Sequence, residues 1–166
     1  MSEDKNRHNA FISHHHKDDS SVDKLQGLLK GNGFDVRNSS IRAFRPENKE
    51  RWKNRQVSDE TIKRLLRTKL KWASSLVVLV GKETHTRKWV DWEIKEAHRL
   101  GMRIIAVYEQ GGTEADLPEN FLKYGSQCVA WNTESIMKAL NGSDEPFQLP
   151  DGSPRPTPPN APHVSC

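Results

Sequence analysis

Between residues 7 and 141 short apolar runs alternate with amphipathic stretches. Asn9-Ala10-Phe11-Ile12 predicts a first strand. Asp18 to Gly31 carries Val22, Leu25, Leu28 and Leu29 at helical spacing, and Asn32-Gly33 supplies residues that tolerate a left-handed cap. Phe34-Asp35-Val36 predicts a second strand. Residues 38–57 are polar and irregular, a long connection. Ser58 or Asp59 then caps a helix over Thr61 to Ala73, with Ile62, Leu65, Leu66, Leu70 and Ala73 on one face. Leu76 to Val80 is a continuous apolar run of mainly β-branched residues, the pattern of a strand covered on both faces. Trp89 to Leu100 reads as a helix closed by Gly101, and Arg103 to Tyr108 as a fourth strand. A short helix follows over Leu117 to Tyr124, with Pro118 at an allowed early position. Cys128 to Trp131 is the fifth strand and Thr133 to Leu140 the last helix.

Strand and helix thus alternate five times. Parallel strands need crossovers, and here the crossovers are helices. The predicted fold is α/β, a flavodoxin-like three-layer sandwich with a five-stranded, mainly parallel sheet. In such sheets ligands sit beyond the carboxyl ends of the strands, near the switch point of the strand order. The residues just after the first three strands are therefore the ones to weigh. Residues 1–6 read as an N-terminal extension and 7–141 as the domain. Seven of the nine prolines fall in 146–166, so 142–166 reads as a Pro-rich tail, extended or disordered and mostly outside the core.

Composition sharpens this picture. The chain has 166 residues, one ordinary domain, of which 34% are hydrophobic and 29% charged, so either the core is modest or part of the chain lies outside it. No apolar run approaches the roughly 20 residues of a membrane span. Met1 to Asn9 is polar and lacks the apolar stretch of a secretory signal. Two cysteines, Cys128 within an apolar stretch and Cys166 at the end, rule out a disulfide framework or a Cys-based zinc site. Together these features give a cytoplasmic expectation. The formal charge of +4 is uneven: residues 42–71 hold eleven Lys/Arg against four acids, a local +7 that leaves −3 elsewhere. That segment reads as a solvated loop and helix face, or as a surface for a phosphate-rich ligand or an acidic partner. No helix-turn-helix, zinc-finger or RNP pattern accompanies it, so nucleic acid is not expected.

Ser13-His14-His15-His16-Lys17-Asp18-Asp19 follows the first strand. Adjacent histidines point in different directions and no Cys or patterned carboxylate completes a tetrahedron, so no metal is expected. The loop either offers hydroxyl and imidazole groups to a ligand or caps the next helix with solvated histidines. The dinucleotide fingerprint, the Walker motif and the Gly-x-Ser-x-Gly elbow are all absent. The third strand-helix unit carries more. Glu93 lies one helical turn after Trp89, while Ile94 and Ala97 face the sheet. A carboxylate beside an indole near the sheet's carboxyl edge can stabilise a developing cation or orient a hydroxyl. Position alone also allows a surface pair with Lys88 or Lys95. Asp91 reads as a surface acid, and Trp92 as core or self-association surface.

Phe11-Ile12-Ser13, Ser74-Ser75-Leu76-Val77-Val78-Leu79-Val80-Gly81 and Trp89-Val90-x-x-Glu93-Ile94 followed by Ala97 resemble a TIR domain. Asp35-Val36-Arg37-Asn38-Ser39-Ser40-Ile41, with Thr84-His85-Thr86 before the tryptophan, resembles the TIR-like ThsB proteins of Thoeris antiphage defence. The resemblance spans about 7–141 and leaves the tail without a counterpart. It implies NAD as substrate, with no resident cofactor, and cleavage of the nicotinamide–ribose bond by the glutamate of Trp-x-x-x-Glu, here Glu93. It implies a diffusible ADP-ribose-derived signal that activates a ThsA-like effector on phage infection, with a phage-derived trigger. It also implies self-association, with the loop after the second strand, here 38–57, completing a neighbour's site. That loop lacks the Gly-Pro-rich sequence of ordinary TIR domains.

The chemistry suits these residues. Cleavage passes through an oxocarbenium-like state that a carboxylate near the ribose stabilises. Phe11 or Trp89 would stack on a ring. Ser13, His14 and Asn38 would bind ribose or phosphate, and Ser39 and Thr84 join them as substrate-binding candidates. The alternative is a non-catalytic TIR-type interaction module, in which Glu93 is a structural acid and the basic segment a docking face.

Overall fold

In a computed structural model the described residues are 9–14, 19–38, 59–82, 84–86, 88–142 and 146–154. The order is β1 (Asn9–Ser13), α1 (Asp19–Gly31), β2 (Asp35–Asn38), α2 (Asp59–Trp72), β3 (Ser75–Val80), a 3-10 turn (Thr84–Thr86) and α3 (Lys88–Arg99). β4 (Arg103–Tyr108), a second 3-10 turn (Glu114–Asp116), α4 (Glu119–Tyr124), β5 (Gln127–Val129) and α5 (Thr133–Leu140) follow. The strands form one sheet in the order β2-β1-β3-β4-β5, and every pairing is parallel. This is a flavodoxin-like α/β sandwich.

Strand alternation sorts the core into two layers. Phe11, Leu76, Val78, Val80, Ile104, Ala106 and Tyr108 pack with Ile62, Leu66 and Leu70 of α2, Val90 and Ile94 of α3, and Phe121 of α4. Ala10, Ile12, Val77, Leu79, Ile105 and Val107 pack on the other face with Leu25 and Leu29 of α1 and Ile136 and Leu140 of α5. Strand order accounts for the split. The chain moves one way from β1 to β2, then reverses across β1 to β3, so right-handed crossovers place α1 opposite α2, α3 and α4. The reversal puts the switch point at the carboxyl end of β1.

Local chemistry fixes the ends. Gly33 sits at φ 88°, and Phe34 N donates to Leu29 O at 3.0 Å, so Asn32-Gly33 closes α1 as the sequence predicts. Asn132 caps α5 by accepting from Ser135 N. Gly112 is required by its neighbours: any Cβ there would collide with the Val80 carbonyl. Gly111-Gly112 is thus a tight turn where the chain leaving β4 crosses the end of β3.

Three expectations need correction. Leu65 is assigned by its spacing to the inner face of α2, yet it is 48% exposed. The real stripe is Ile62, Leu66, Leu70 and Ala73, and Leu65 lies about 100° round the helix from Leu66. β5 is short and ends at Val129, leaving Trp131 beyond the ladder. Finally, part of the tail is seated on the sheet. Gln148 N donates to Cys128 O at 2.8 Å, and Gln148 Oε1 accepts from Ala130 N at 3.0 Å. Gln127 Nε2 donates to Pro146 O at 3.2 Å, and the Phe147 ring lies 5.9 Å from that of Phe121. Residues 146–154 are irregular, as their prolines require, but they cover the open edge of β5. Residues 1–8 and 155–166 lie outside the described residues.

Candidate active site

β1 ends at Ser13, and alternation gives Ser13 the same side of the sheet as Phe11, the side covered by α2 and α3. On α3, Ile94 and Ala97 are fully buried against the sheet, and Glu93 beside them is 0% exposed. The two polar groups meet there: Ser13 Oγ donates to Glu93 Oε1 at 2.7 Å. Glu93 Oε2 is buried with no hydrogen-bond partner among the described residues. A carboxylate with one oxygen unsatisfied in the interior is costly. Burial pushes the Glu93 carboxyl up to about 8, against the pull of the Ser13 hydrogen bond and the positive charge of Lys69. The sequence left open whether Glu93 pairs at the surface with Lys88 or Lys95. It does not; it is enclosed.

Two neighbours frame the carboxyl. Lys69 comes from α2, half-buried. Its burial lowers its basicity, Glu93 opposes that, and the like charge of Arg37 adds to it. Trp89, one turn before Glu93, is half-buried and meets Trp92 edge-on at 5.8 Å. Arg67 of α2 sits 5.5 Å above the Trp92 ring, and its guanidinium is 3.7 Å from Glu96. These contacts bind α2 to α3 beside the site.

Of the residues proposed from sequence, Ser13 and Glu93 are brought together, with His14 next in the chain and 8% exposed. Thr84 is fully buried and structural in its contacts: its Oγ1 accepts from Gly81 N at 2.8 Å, pinning the loop between β3 and α3. Phe11 is 0% exposed and lies within the core, so Trp89 is the ring nearer the surface. The backbone of Asn38 ends β2, which pairs Asn38 with Ile12. The Asn38 side chain, Ser39, His15 and His16 lie outside the described residues. No cluster of three or more His, Cys, Asp or Glu suited to a metal occurs among the described residues. No helix there is long and apolar enough to cross a membrane.

Sequence reasoning missed two roles. Asp91 is no idle surface acid: its carboxylate accepts from Asn120 N at 3.1 Å and Asn120 Nδ2 at 2.7 Å, holding the start of α4. Lys69 was hidden as one of the eleven cations of residues 42–71. The available signal was its place three residues after Leu66 and seven after Ile62, on the helix's inner stripe.

A separate cleft of about 810 Å³ opens at the carboxyl ends of β4 and β5, lined by Lys24, Tyr108, Trp131, Asn132, Gln148 and Asp151 among others. Glu93 is not part of its lining.

The family described as "Thoeris protein ThsB, TIR-like domain" matches this chain over residues 11–114. That stretch contains Ser13, Lys69, Thr84, Trp89 and Glu93, and stops before α4, β5 and the segment 146–154. No curated protein matches the chain. Among solved structures, a 2-deoxyribosyltransferase from Bacillus psychrosaccharolyticus is similar with a TM-score of 0.56 and 11% identity, covering 77% of this chain and 89% of the other. At that identity the likeness concerns the fold alone. The family match covers well over half of the chain and every component of the Glu93 site, and the chain therefore belongs to the ThsB TIR-like domain family of Thoeris defence.

Proposed function

We propose that this Thoeris TIR protein cleaves NAD at the nicotinamide–ribose bond, with Glu93 as the catalytic carboxylate. The observation that carries the reading is the enclosed Glu93 carboxyl at the switch point, bonded by Ser13 through one oxygen and unsatisfied at the other. Burial favours the neutral acid in the empty protein, and a cation forming beside it would favour the carboxylate. As the C1′–N bond breaks, its electron pair leaves with nicotinamide, which departs neutral. The ribose C1′ becomes oxocarbenium-like, and Glu93 stabilises that charge or holds a ribose hydroxyl. Water or a hydroxyl then forms the new bond to C1′ and releases a proton. Ser13 keeps the carboxyl oriented and Trp89 offers an aromatic face to a base. The product is an ADP-ribose-derived signal for a ThsA-like effector. Self-association on activation and a phage-derived trigger belong to the same proposal, as does a cytoplasmic location.

The test is NAD consumption and product analysis in cells carrying the full chain under phage challenge, compared with Glu93→Gln. Glu93→Gln keeps the shape and removes the charge. Loss of turnover by a folded variant supports the assignment, whereas undiminished cleavage removes it. A second reading has its own observation: full enclosure of Glu93 also suits a structural acid in a non-catalytic interaction module. In that case wild type and Glu93→Gln both leave NAD intact while defence persists.

A further inference from the structure

We propose that the cleft at the carboxyl ends of β4 and β5 is a second binding site, which takes the base and ribose of an uncharged nucleoside through Trp131, Asn132 and Asp151. The inference stands apart from the reading of Glu93: neither Glu93, Ser13 nor Trp89 lines this cleft. Its three residues also lie beyond the stretch that the family match covers, which ends at residue 114.

The cleft, about 810 Å³, has the size of a small-molecule site and lies at the sheet edge where parallel α/β folds take ligands. The segment 146–154 builds one wall and is registered on β5. Gln148 N donates to Cys128 O at 2.8 Å, and Gln148 Oε1 accepts from Ala130 N at 3.0 Å. Leu149 N then donates to Ser153 O, and Gly152 N to Leu149 O, each at 2.8 Å. These bonds close a tight turn that contains Asp151. Gly152, at φ 91°, lies against Ala130, whose methyl a Cβ on Gly152 would meet at 3.9 Å. Asp151 is thereby held beside the stretch that leads into Trp131 and Asn132. The Gly111-Gly112 turn after β4 forms another part of the wall, and no side chain from it narrows the space.

Each of the three residues has spare capacity of a different kind. Trp131 is half-buried beyond the end of the ladder and stacks on no other ring among the described residues. Its indole offers a planar face to a base. Asn132 Oδ1 is spent on Ser135 N at 3.0 Å, which fixes the amide, and its Nδ2 makes no hydrogen bond among the described residues. That nitrogen is a donor for a ring nitrogen or carbonyl on the edge of the base. Asp151 Oδ1 accepts from Ser153 N at 2.8 Å and Ser153 Oγ at 2.6 Å. Its Oδ2 makes no hydrogen bond among the described residues. The Ser153 hydroxyl holds the Asp151 carboxyl below its usual range, so it is ionised at neutral pH. An oriented carboxylate with one open oxygen is the acceptor that ribose hydroxyls require. Charge argues against a phosphorylated ligand. The lining carries Lys24 and Lys138 against Glu109, Glu134 and Asp151, two cations to three acids. Lys138 is also paired with Glu134 at 3.3 Å. A diphosphate would meet a surface of its own sign, whereas a neutral nucleoside meets none.

The test is a 1H–15N NMR titration of the full chain with adenosine, cytidine, ribose, glucose and ADP. Adenosine and cytidine should shift the Trp131 indole N–H and the backbone signals of Gly111, Asn132 and Gly152, with a Kd of about 0.1–1 mM. Ribose and glucose, which lack the base, should bind about tenfold more weakly or not at all. ADP should also bind more weakly than adenosine, most clearly at low salt. Trp131→Leu keeps apolar bulk, removes the ring, and should weaken adenosine about tenfold or more. Asp151→Asn keeps the bonds from Ser153 and replaces the open oxygen with a donor. It lies at the surface, so it covers the case in which Trp131→Leu does not fold, and it too should weaken adenosine about tenfold. Glu93→Gln should leave the cleft shifts as they are, which separates this site from the one proposed for NAD. The proposal is overturned if adenosine shifts none of the cleft signals, or only those around Ser13, Trp89 and Glu93. It is equally overturned if a free sugar binds as tightly as adenosine, if ADP binds more tightly, or if Asp151→Asn changes nothing.

Discussion

The two halves of the sheet's carboxyl edge are built on opposite terms. At the end of β1 the Glu93 carboxyl is fully buried, with one oxygen bonded to Ser13 and the other without a hydrogen-bond partner among the described residues. At the end of β5 a single side chain serves several polar groups. Gln148 alone bonds Cys128 O, Ala130 N and Ser135 Oγ. The β5 end also borders a cleft of about 810 Å³, while Glu93 at the β1 end is fully buried. A fully buried acid that keeps one oxygen without a hydrogen-bond partner among the described residues is informative about chemistry. Strain held at a site and repaid by packing elsewhere is the pattern of a functional centre.

The sharpest way to break this comparison is to remove the ionisable group on one side. Glu93→Gln should lower NAD turnover by about 100-fold or more, the usual scale for losing electrostatic stabilisation of a transition state. The fold should survive, because the shape and the Ser13 contact are kept. Retained turnover with intact folding would make the β1 end merely structural.

Stability against pH tests the same asymmetry without any substrate. Glu93 titrates at about 8 in the folded chain, against 4.5 ordinarily, because burial disfavours its charge. Between those values the folded chain holds a proton that the unfolded chain has released. Folding thus takes up a proton, and stability falls as pH rises through that window. The contribution is fully present below 4.5 and gone above 8. Relative to Glu93→Gln, the wild-type Tm should therefore drop as pH goes from 5 to 8.5. A constant difference between the two melting curves would mean that Glu93 is not desolvated.

On the β5 side, truncation after Gly142 is the matching cut. It removes the bonds of Gln148 and Pro146 to β5 and the contact of Phe147 with Phe121. Each hydrogen bond contributes about 1 kcal/mol net, and ordering nine residues opposes them. The expected fall in Tm is about 5 °C. NAD turnover at the β1 end should persist in the folded variant. An unchanged Tm would show that the segment adds nothing to the edge it covers.

Why these two ends differed in legibility is physical. The layers followed from period: β-branched runs at 76–80 and 103–108, and apolar stripes on the helices, could pack in few other ways. Glu93 was visible because helical spacing ties it to Trp89. What could not be seen was its enclosure, which depends on α2 lying over it, and α2 is separated from β2 by a long polar connection. Lys69 was obscured for the same reason, being one cation in a basic segment until tertiary packing distinguishes it. The 146–154 segment was misread because proline content describes what a chain cannot do alone. It does not describe an open strand edge elsewhere, which a single glutamine can reach with both backbone and side chain.

The smallest effect belongs to the clamp between the two helices over Glu93. Arg67 spans Glu96 at 3.7 Å and the Trp92 ring at 5.5 Å. Its side chain is 37% exposed, so solvent screens the ion pair, and Glu96 keeps Arg99 at 2.8 Å as a second partner. Such a pair contributes under about 1 kcal/mol, and the cation–π contact adds a similar amount at a partly exposed site. Arg67→Met retains much of the apolar stem and removes both charged contacts. Its Tm should fall by no more than about 3–4 °C, and by less at high salt, where exposed charges are screened. The consequence for the β1 end is geometric: if the clamp fixes how α2 lies against α3, the Glu93 titration midpoint should shift in Arg67→Met. A midpoint identical to wild type would show that the core residues Ile62, Leu66 and Leu70 set the position of α2 by themselves, with the surface clamp only decorating the interface.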